Sequence, residues 1–403
     1  MFIKDHKIHA IGSCDIFAAD HVIDGRGKLV MPGLINCHTH SYMSVFRNYA
    51  DDLSFSDWLF GKIMPAEDRL TPEDAYWCNL LSCIEMIRTG TTCFSDMHMF
   101  PRQSVRAAMD SGMRAVVARG LVSERAETPA ANRRLAEAFD EMASAQGIPL
   151  ITFLLAPHAI YSCDEGFLRH VAQLAQTHAL GLHFHLAESR AEVDNCQAAH
   201  GCSPVRYLDS LGFFAAPSIA AHCVQLTGED ISILKKRGVS VATNPISNMK
   251  LGNGFAPVSE LLRAGINVCI GTDGVASNNS LNMFRELGML AQIHKGTAQN
   301  AQALPAAQVL HAATLAGARA LGLGDKTGSI EPGKDADLIM LDLCQAHMQP
   351  LNNPISGLVY SATGLEVETV IVRGNILMES RRLKTIDEQR VYAEMERIRS
   401  TLF

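Results

Sequence analysis

Eight short apolar runs, each followed by a stretch with helical periodicity, leave this chain few folds to choose from. The runs lie at 33–37, 91–95, 114–118, 150–156, 181–186, 218–222, 239–242 and 267–271. The clearest helix between them covers 71–89, where Thr71 reads as the N-cap, Pro72 as the first helical residue, Asp74 as the capping-box acid and Gly90 as the stop. Its residues Tyr76, Leu80, Ile84 and Ile87 share one face, which predicts burial. Strand and helix alternating eight times predict an α/β fold, a (β/α)8 TIM-type barrel. An open doubly wound sheet is the alternative, and the lack of a Gly-rich loop after the first strand weighs against it.

The chain ends look different. KIHAIG and HVIDGRGKLV precede the first run, and GSIEPGKDADLIMLDL (328–343) and VETVIVRGNILMES (367–380) follow the last; all are short β pieces broken by Gly, Pro and Asp. They predict one small β-sandwich-like domain built from both termini, residues 1–30 plus 327–385, with the barrel (31–326) inserted and a C-terminal helix at 386–403.

With 47 % hydrophobic and 19 % charged residues among 403, the chain can bury a large core. Its net charge of −7 argues against nucleic acid as a main partner. The start, MFIKDHKIHA, has no apolar leader, and no run approaches the ~18 residues that span a bilayer, so a soluble cytoplasmic protein without a membrane partner is expected. The eleven cysteines include no CxxC pair. They predict reduced, buried thiols, and any metal must then rest on His and carboxylate. Cys37, by strand alternation, should face away from its histidine neighbours and serve packing.

Barrels of this kind carry their chemistry where strands end. His38 and His40, two apart after the first run, point the same way if they continue the strand. His158 follows the fourth run, His183 and His185 lie in the fifth with Glu188 just beyond, His222 ends the sixth and Asp273 follows the eighth. His183 and His185 share a face, so spacing leaves open which is a ligand and which supports it. His98 reads as rim decoration. His170, His178, His200, His294, His311 and His347 read as ordinary solvated or packed residues. No lysine occurs between Lys62 and Lys235, which disfavours a two-metal site bridged by a modified lysine. One divalent ion held by three His and one Asp, with a position open to water, is the expectation. These ligands suit Zn2+; Fe2+ and Mn2+ are compatible with them.

The pieces PGLINCHTHS, HLAES, AAHC, NPISNMKLGNG and GTDGVASNNSLN, in that order, resemble the amidohydrolase superfamily in its mononuclear deaminase/chlorohydrolase branch. The resemblance implies His38, His40, His185 and Asp273 as metal ligands, and Glu188, His222 and Asp273 as the catalytic acid/base groups. The stretches DDLSFSDWLFGKIMPAEDRLT (51–71), ARGLV (118–122) and PHAIYSC (157–163) further resemble the S-adenosylhomocysteine/5′-methylthioadenosine deaminases. That likeness implies Trp58 beside an adenine ring, Glu188 at the ring, Glu67 on the ribose hydroxyls, and Arg119 and His158 in the pocket. It also implies an arginine, Arg134 or its neighbour Arg133, on the carboxylate of a homocysteine tail, often from a neighbouring subunit of a dimer or tetramer. The implied activity is hydrolysis of the 6-amino group of an adenine nucleoside (5′-methylthioadenosine, S-adenosylhomocysteine, adenosine or 5′-deoxyadenosine) to the inosine derivative and ammonia. The alternative is deamination or dechlorination of guanine, cytosine or a triazine, for which a ribose-binding acid has no use. The chain departs from the family at its start, where members carry a further strand or two before the KIHAIG segment; the completeness of the small β domain is thereby left open.

Overall fold

The computed structural model describes residues 1–12, 19–123 and 129–403. Its eight central strands form one parallel sheet in chain order: β1 (Leu34–Thr39), β2 (Thr91–His98), β3 (Arg114–Leu121), β4 (Ile151–Pro157), β5 (Gly181–Leu186), β6 (Ser218–His222), β7 (Ser240–Thr243) and β8 (Val268–Ile270). The ladder runs from β1 to β8, and side chains and strand ends close the ring between them. Asp273 N–H donates to His38 O at 2.9 Å, while the Asn36 amide accepts Thr272 N–H at 3.0 Å and donates to Thr272 Oγ1 at 2.7 Å. Gly271 permits this approach, since a Cβ there would stand 2.8 Å from the His38 backbone nitrogen.

Strand ends outrun their apolar runs. β1 and β2 continue to Thr39 and His98 because the residues beyond the runs are still buried, and β3 continues to Leu121 because its last residues still pair with β4. Ile35, Cys37, Cys93, Val116, Ile219, Ala242 and Cys269 form a single apolar cluster, which side chains from six strands can share only inside the barrel. Ala318, Leu321 and Leu323 close it at the end away from the histidines. Cys37 therefore packs, as expected, in the same cluster as Ile35 two residues before it. Every cysteine among the described residues is unpaired, and all but Cys202 and Cys344 are buried.

Lys28–Pro32, just ahead of the barrel, pairs with Leu338–Asp342, just after it, in a five-stranded antiparallel sheet completed by Val367–Val372, Asn375–Glu379 and Arg382–Leu383. A hairpin of Phe2–Lys4 and Lys7–Ala10 packs on it through Ile8, Ala336 and Leu338. Arg114, at the start of β3, ties this sheet to the barrel through Asp337 (2.9 Å) and Asp335 (2.8 Å), all three buried. The helix Pro72–Arg88 starts as its sequence predicts, with Thr71 and Asp74 completing both halves of the capping box. Tyr76, Leu80, Ile84 and Ile87 are all buried. The C-terminal helix Glu388–Leu402 packs beside it, with Arg88 paired to Glu388 and Arg397 to Asp74. Among the described residues no helix is long and apolar enough to cross a membrane.

Candidate active site

The residues at the carboxyl ends of β1, β5, β6 and β8 meet at one corner of the barrel mouth. One ligand-capable atom from each of His38, His40 and His185 lies within 4.8 Å of the other two, and the same holds for His38, His222 and Asp273. All five side chains are buried. Each ring is aimed by a bond on its far side. Nδ1 of His40 lies 2.8 Å from Met97 O, and Nδ1 of His185 lies 2.9 Å from His158 O. A carbonyl only accepts, so both Nδ1 atoms hold the proton and both Nε2 lone pairs face the corner. His38 leans on His183, Nδ1 to Nε2 at 3.0 Å, and Nδ1 of His183 meets Ser95 Oγ at 3.2 Å. Of the two histidines that spacing left open, His185 thus points into the corner and His183 supports a neighbour.

The donor set fits a divalent cation. His38 Nε2 is buried without a hydrogen-bond partner and faces Asp273 Oδ1 at 3.4 Å; an orphaned ring nitrogen beside two more lone pairs and a carboxylate is a ligand set waiting for a positive charge. Burial pulls His38 down to about 4 and holds His185 well below the usual imidazole range. Burial acts the same way on His40, but the Asp273 carboxylate, 3.3 Å from its Nε2, outweighs it and raises the ring. Burial opposes ionisation of Asp273, yet the His38 and His40 rings beside it, 3.4 and 3.3 Å away, keep it well below the carboxylate range. Its Oδ2 accepts the Ser247 and Ser277 hydroxyls, both at 2.7 Å, and its Oδ1 accepts Gly274 N–H at 2.7 Å. Asp273 and His222 both sit at positive φ, 62° and 69°, where a non-glycine residue is held by its surroundings. These turns swing the side chains off β8 and β6 into the corner.

Two further groups stand beside the ligands. His222 Nδ1 lies 2.8 Å from Asn248 Oδ1, which leaves Nε2 free, 3.7 Å from Glu188 Oε2. Burial pushes the Glu188 carboxyl up, toward its protonated form. Glu192 accepts the backbone N–H of Ala187 (3.0 Å) and of Glu188 (2.9 Å), fixing the turn that carries the acid.

A cavity of about 410 Å³ opens from this corner, and His40, His185, His222, Glu188 and Asp273 line it together with Trp58, Glu67, Arg119, Arg134 and His158. His38 lies behind them. Glu67 is buried, accepts the Tyr42 hydroxyl at 2.6 Å, and is pushed by burial to about 7. Trp58 is fixed by its Nε1–H, which donates to Ala276 O at 3.2 Å. His158 is half-buried, its Nδ1 3.0 Å from Ser162 Oγ, with its ring 4.5 Å from that of His185. The guanidinium of Arg119 is paired with Glu141, Nε to Oε2 at 3.0 Å, while Arg134 lines the cavity and Arg133 is exposed. His98 departs from expectation: it is the buried last residue of β2, bonded to Asn79 Oδ1 at 3.0 Å, because β2 runs further than its apolar run. Sequence reasoning gave no role to Asn248, Ser247 or Asn253. All three follow β7 in NPISNMKLGNG, at a strand end where an amide or hydroxyl can reach the mouth as a histidine or carboxylate does.

A parallel barrel with a histidine-rich metal corner at the carboxyl ends of its strands defines a metal-binding hydrolase architecture. The amidohydrolase family model matches residues 29–377, and the chain belongs to that family. It is 46 % identical over 383 residues to a 5-methylthioadenosine/S-adenosylhomocysteine deaminase of Caldanaerobacter subterraneus subsp. tengcongensis, covering 94 % of this chain and 88 % of the relative. A 5′-deoxyadenosine deaminase of Methanosarcina mazei is 44 % identical over 400 residues, covering 98 % and 91 %. Among solved structures, a zinc-bound adenosine deaminase of Xanthomonas campestris superposes with a TM-score of 0.90 at 38 % identity, covering 93 % of this chain and 86 % of that one.

Proposed function

We propose that the chain is a metal-dependent hydrolytic deaminase that exchanges the 6-amino group of an adenine nucleoside for oxygen. The carrying observation is two buried carboxyls on one cavity, Glu188 beside the metal corner and Glu67 bonded to Tyr42. The deaminase relatives support the reaction type, and Glu67 supports a sugar-bearing substrate over a free base. His38, His40, His185 and Asp273 would hold the ion, with Zn2+ favoured by the ligand types and by the zinc-bound neighbour. When bound, such an ion draws the pKa of a coordinated water down toward ~7 and so supplies the nucleophile.

The chain's own residues do the rest. Asp273 and His222 orient the water and take its proton, His222 at the Nε2 that its bond to Asn248 leaves free. Glu188, whose carboxyl burial pushes up, gives its proton to ring N1 and makes C6 electrophilic. Water oxygen bonds to C6, and the Glu188 carboxylate then takes the proton of the new C6 hydroxyl and passes it to the amino group. The C6–N bond breaks, ammonia leaves, and the proton held by His222 or Asp273 returns to Glu188. Glu67 keeps an oxygen for the ribose hydroxyls while Tyr42 occupies the other. Trp58 flanks the base, His158 backs the pocket, and Arg119 and Arg134 stand toward a 5′-substituent.

An ammonia-release screen of metal-analysed protein tests this. Adenine nucleosides should turn over, and adenine, guanine, cytosine and triazines should not; faster release from any free base overturns the substrate class. Glu188→Gln should lose roughly 10²–10⁴ in kcat with metal content unchanged. Near-normal turnover in that variant overturns the acid assignment.

A further inference from the structure

The turn after β7 carries neither histidine nor carboxylate, yet it touches all three side chains given proton-handling roles above. Asn248 Oδ1 meets His222 Nδ1 at 2.8 Å, Ser247 Oγ donates to Asp273 Oδ2 at 2.7 Å, and Asn253 Nδ2 donates to Glu188 Oε1 at 3.0 Å. Asn253 is itself held, its N–H on Asn248 O at 2.9 Å and its O accepting Gln225 Nε2 at 2.7 Å. Both Asn253 and Glu188 are buried, and among the described residues Asn253 is the sole hydrogen-bond partner of the Glu188 carboxyl.

We propose that Asn253 is a positioning residue that decides which oxygen of Glu188 carries the transferable proton. A neutral carboxyl has one carbonyl oxygen and one hydroxyl, and the better acceptor is the carbonyl. The amide N–H of Asn253 claims Oε1 for that part, so the hydroxyl is Oε2, the oxygen that stands 3.7 Å from His222 Nε2. Without Asn253 the carboxyl can rotate or place its proton on the oxygen turned away from the substrate. The backbone of Glu188 would stay where Glu192 holds it, so the loss falls on proton transfer and not on the shape of the cavity. After Glu188 has given up its proton, the same N–H steadies the carboxylate, a charge-assisted bond stronger than the first.

The inference rests on the deaminase reading through the role of Glu188, and a double-mutant cycle separates the two. Asn253→Ala should lower kcat roughly 10–100-fold, the factor expected for one bond to an ionising group, while KM and metal stoichiometry hold. In the Glu188→Gln background the same change should cost nothing further, because its only route to the chemistry is gone. Asn253→Asp keeps the volume without the donor, and carries the comparison if the alanine variant does not fold. An unchanged kcat in Asn253→Ala, a loss explained by missing metal, or a full additional loss on top of Glu188→Gln overturns the positioning role. Retained turnover in Glu188→Gln alone overturns the reading beneath it instead.

Discussion

The two sides of the cavity are built to different standards. The metal corner stands on strand ends, with rings aimed by backbone carbonyls and a neighbouring histidine and the carboxylate held by two hydroxyls and an amide. The facing wall, residues 51–71, is a string of short helical turns with a π-turn at Leu59–Ile63, and it leaves Leu53, Phe60 and Met64 exposed at 37, 53 and 42 %. Trp58 and Glu67 tether that wall through one hydrogen bond each. A reaction that needs proton donors and a cation placed to fractions of an ångström belongs on the rigid side. Recognition of sugar and tail tolerates the looser one, and π-turns recur at such functional edges. Substitutions on the corner should therefore abolish chemistry or metal, and substitutions on the wall should shift binding.

The largest effect falls on the corner. His185→Ala removes one of three ring nitrogens from the ligand set, and its metal affinity should fall beyond the ~10–100-fold that loss of an outer partner costs. Metal analysis after dialysis against a weak chelator should show an empty protein and no turnover. Full occupancy would mean that the three rings do not act as one site.

On the wall, Glu67→Ala should raise KM for a nucleoside by roughly 10–100-fold, the worth of hydrogen bonds to a carboxylate, with metal content and kcat little changed. The pH dependence follows from burial. Glu67 is pushed to about 7, and its ionised form is the better acceptor for ribose hydroxyls. Below that pH the wild-type acid is protonated and loses its advantage; above it the advantage is complete. The ratio of wild-type kcat/KM to that of Glu67→Gln should therefore climb between pH 6 and pH 8. A flat ratio would put Glu67 outside the sugar site.

The corner was legible in sequence and the wall was not, for one physical reason. Strands impose a period of two and barrels send their carboxyl ends to one face, so His38, His40, His222 and Asp273 could be gathered from spacing and chain order alone. The preference for His185 over His183 came only with the family resemblance, because both lie on one face; geometry separates them through the carbonyl of His158. The roles suggested for Trp58, Glu67 and Arg134 also came by resemblance, since short turns have no period to read. His98 went astray where a longer strand altered the local count. The turn after β7 is silent in the sequence because its amides and hydroxyl neither titrate nor recur with a period.

The smallest expected effect tests how far the corner's rigidity extends beneath it. Glu286 touches no ligand, but its Oε1 accepts Asn278 Nδ2 at 2.6 Å and its Oε2 accepts Ile246 N–H at 3.2 Å, joining the turn after β8 to the turn after β7. It is fully buried, and burial raises it to about 8. At pH 7 the acid is thus neutral, and Glu286→Gln, its nearest uncharged copy, should cost only about 1 kcal/mol. Glu286→Ala leaves two donors unsatisfied and should cost about 1–3 kcal/mol for each. The sign with pH is fixed: a carboxyl raised on folding binds its proton more tightly in the native state. Its contribution is therefore complete below the unfolded value and is lost as pH rises to about 8. Denaturant melts of wild type and Glu286→Gln should converge and then cross between pH 5 and pH 8 as the wild type alone weakens. A gap constant across that range would show that Glu286 stays ionised in the fold, and that the two turns are joined by charge and not by a neutral bridge.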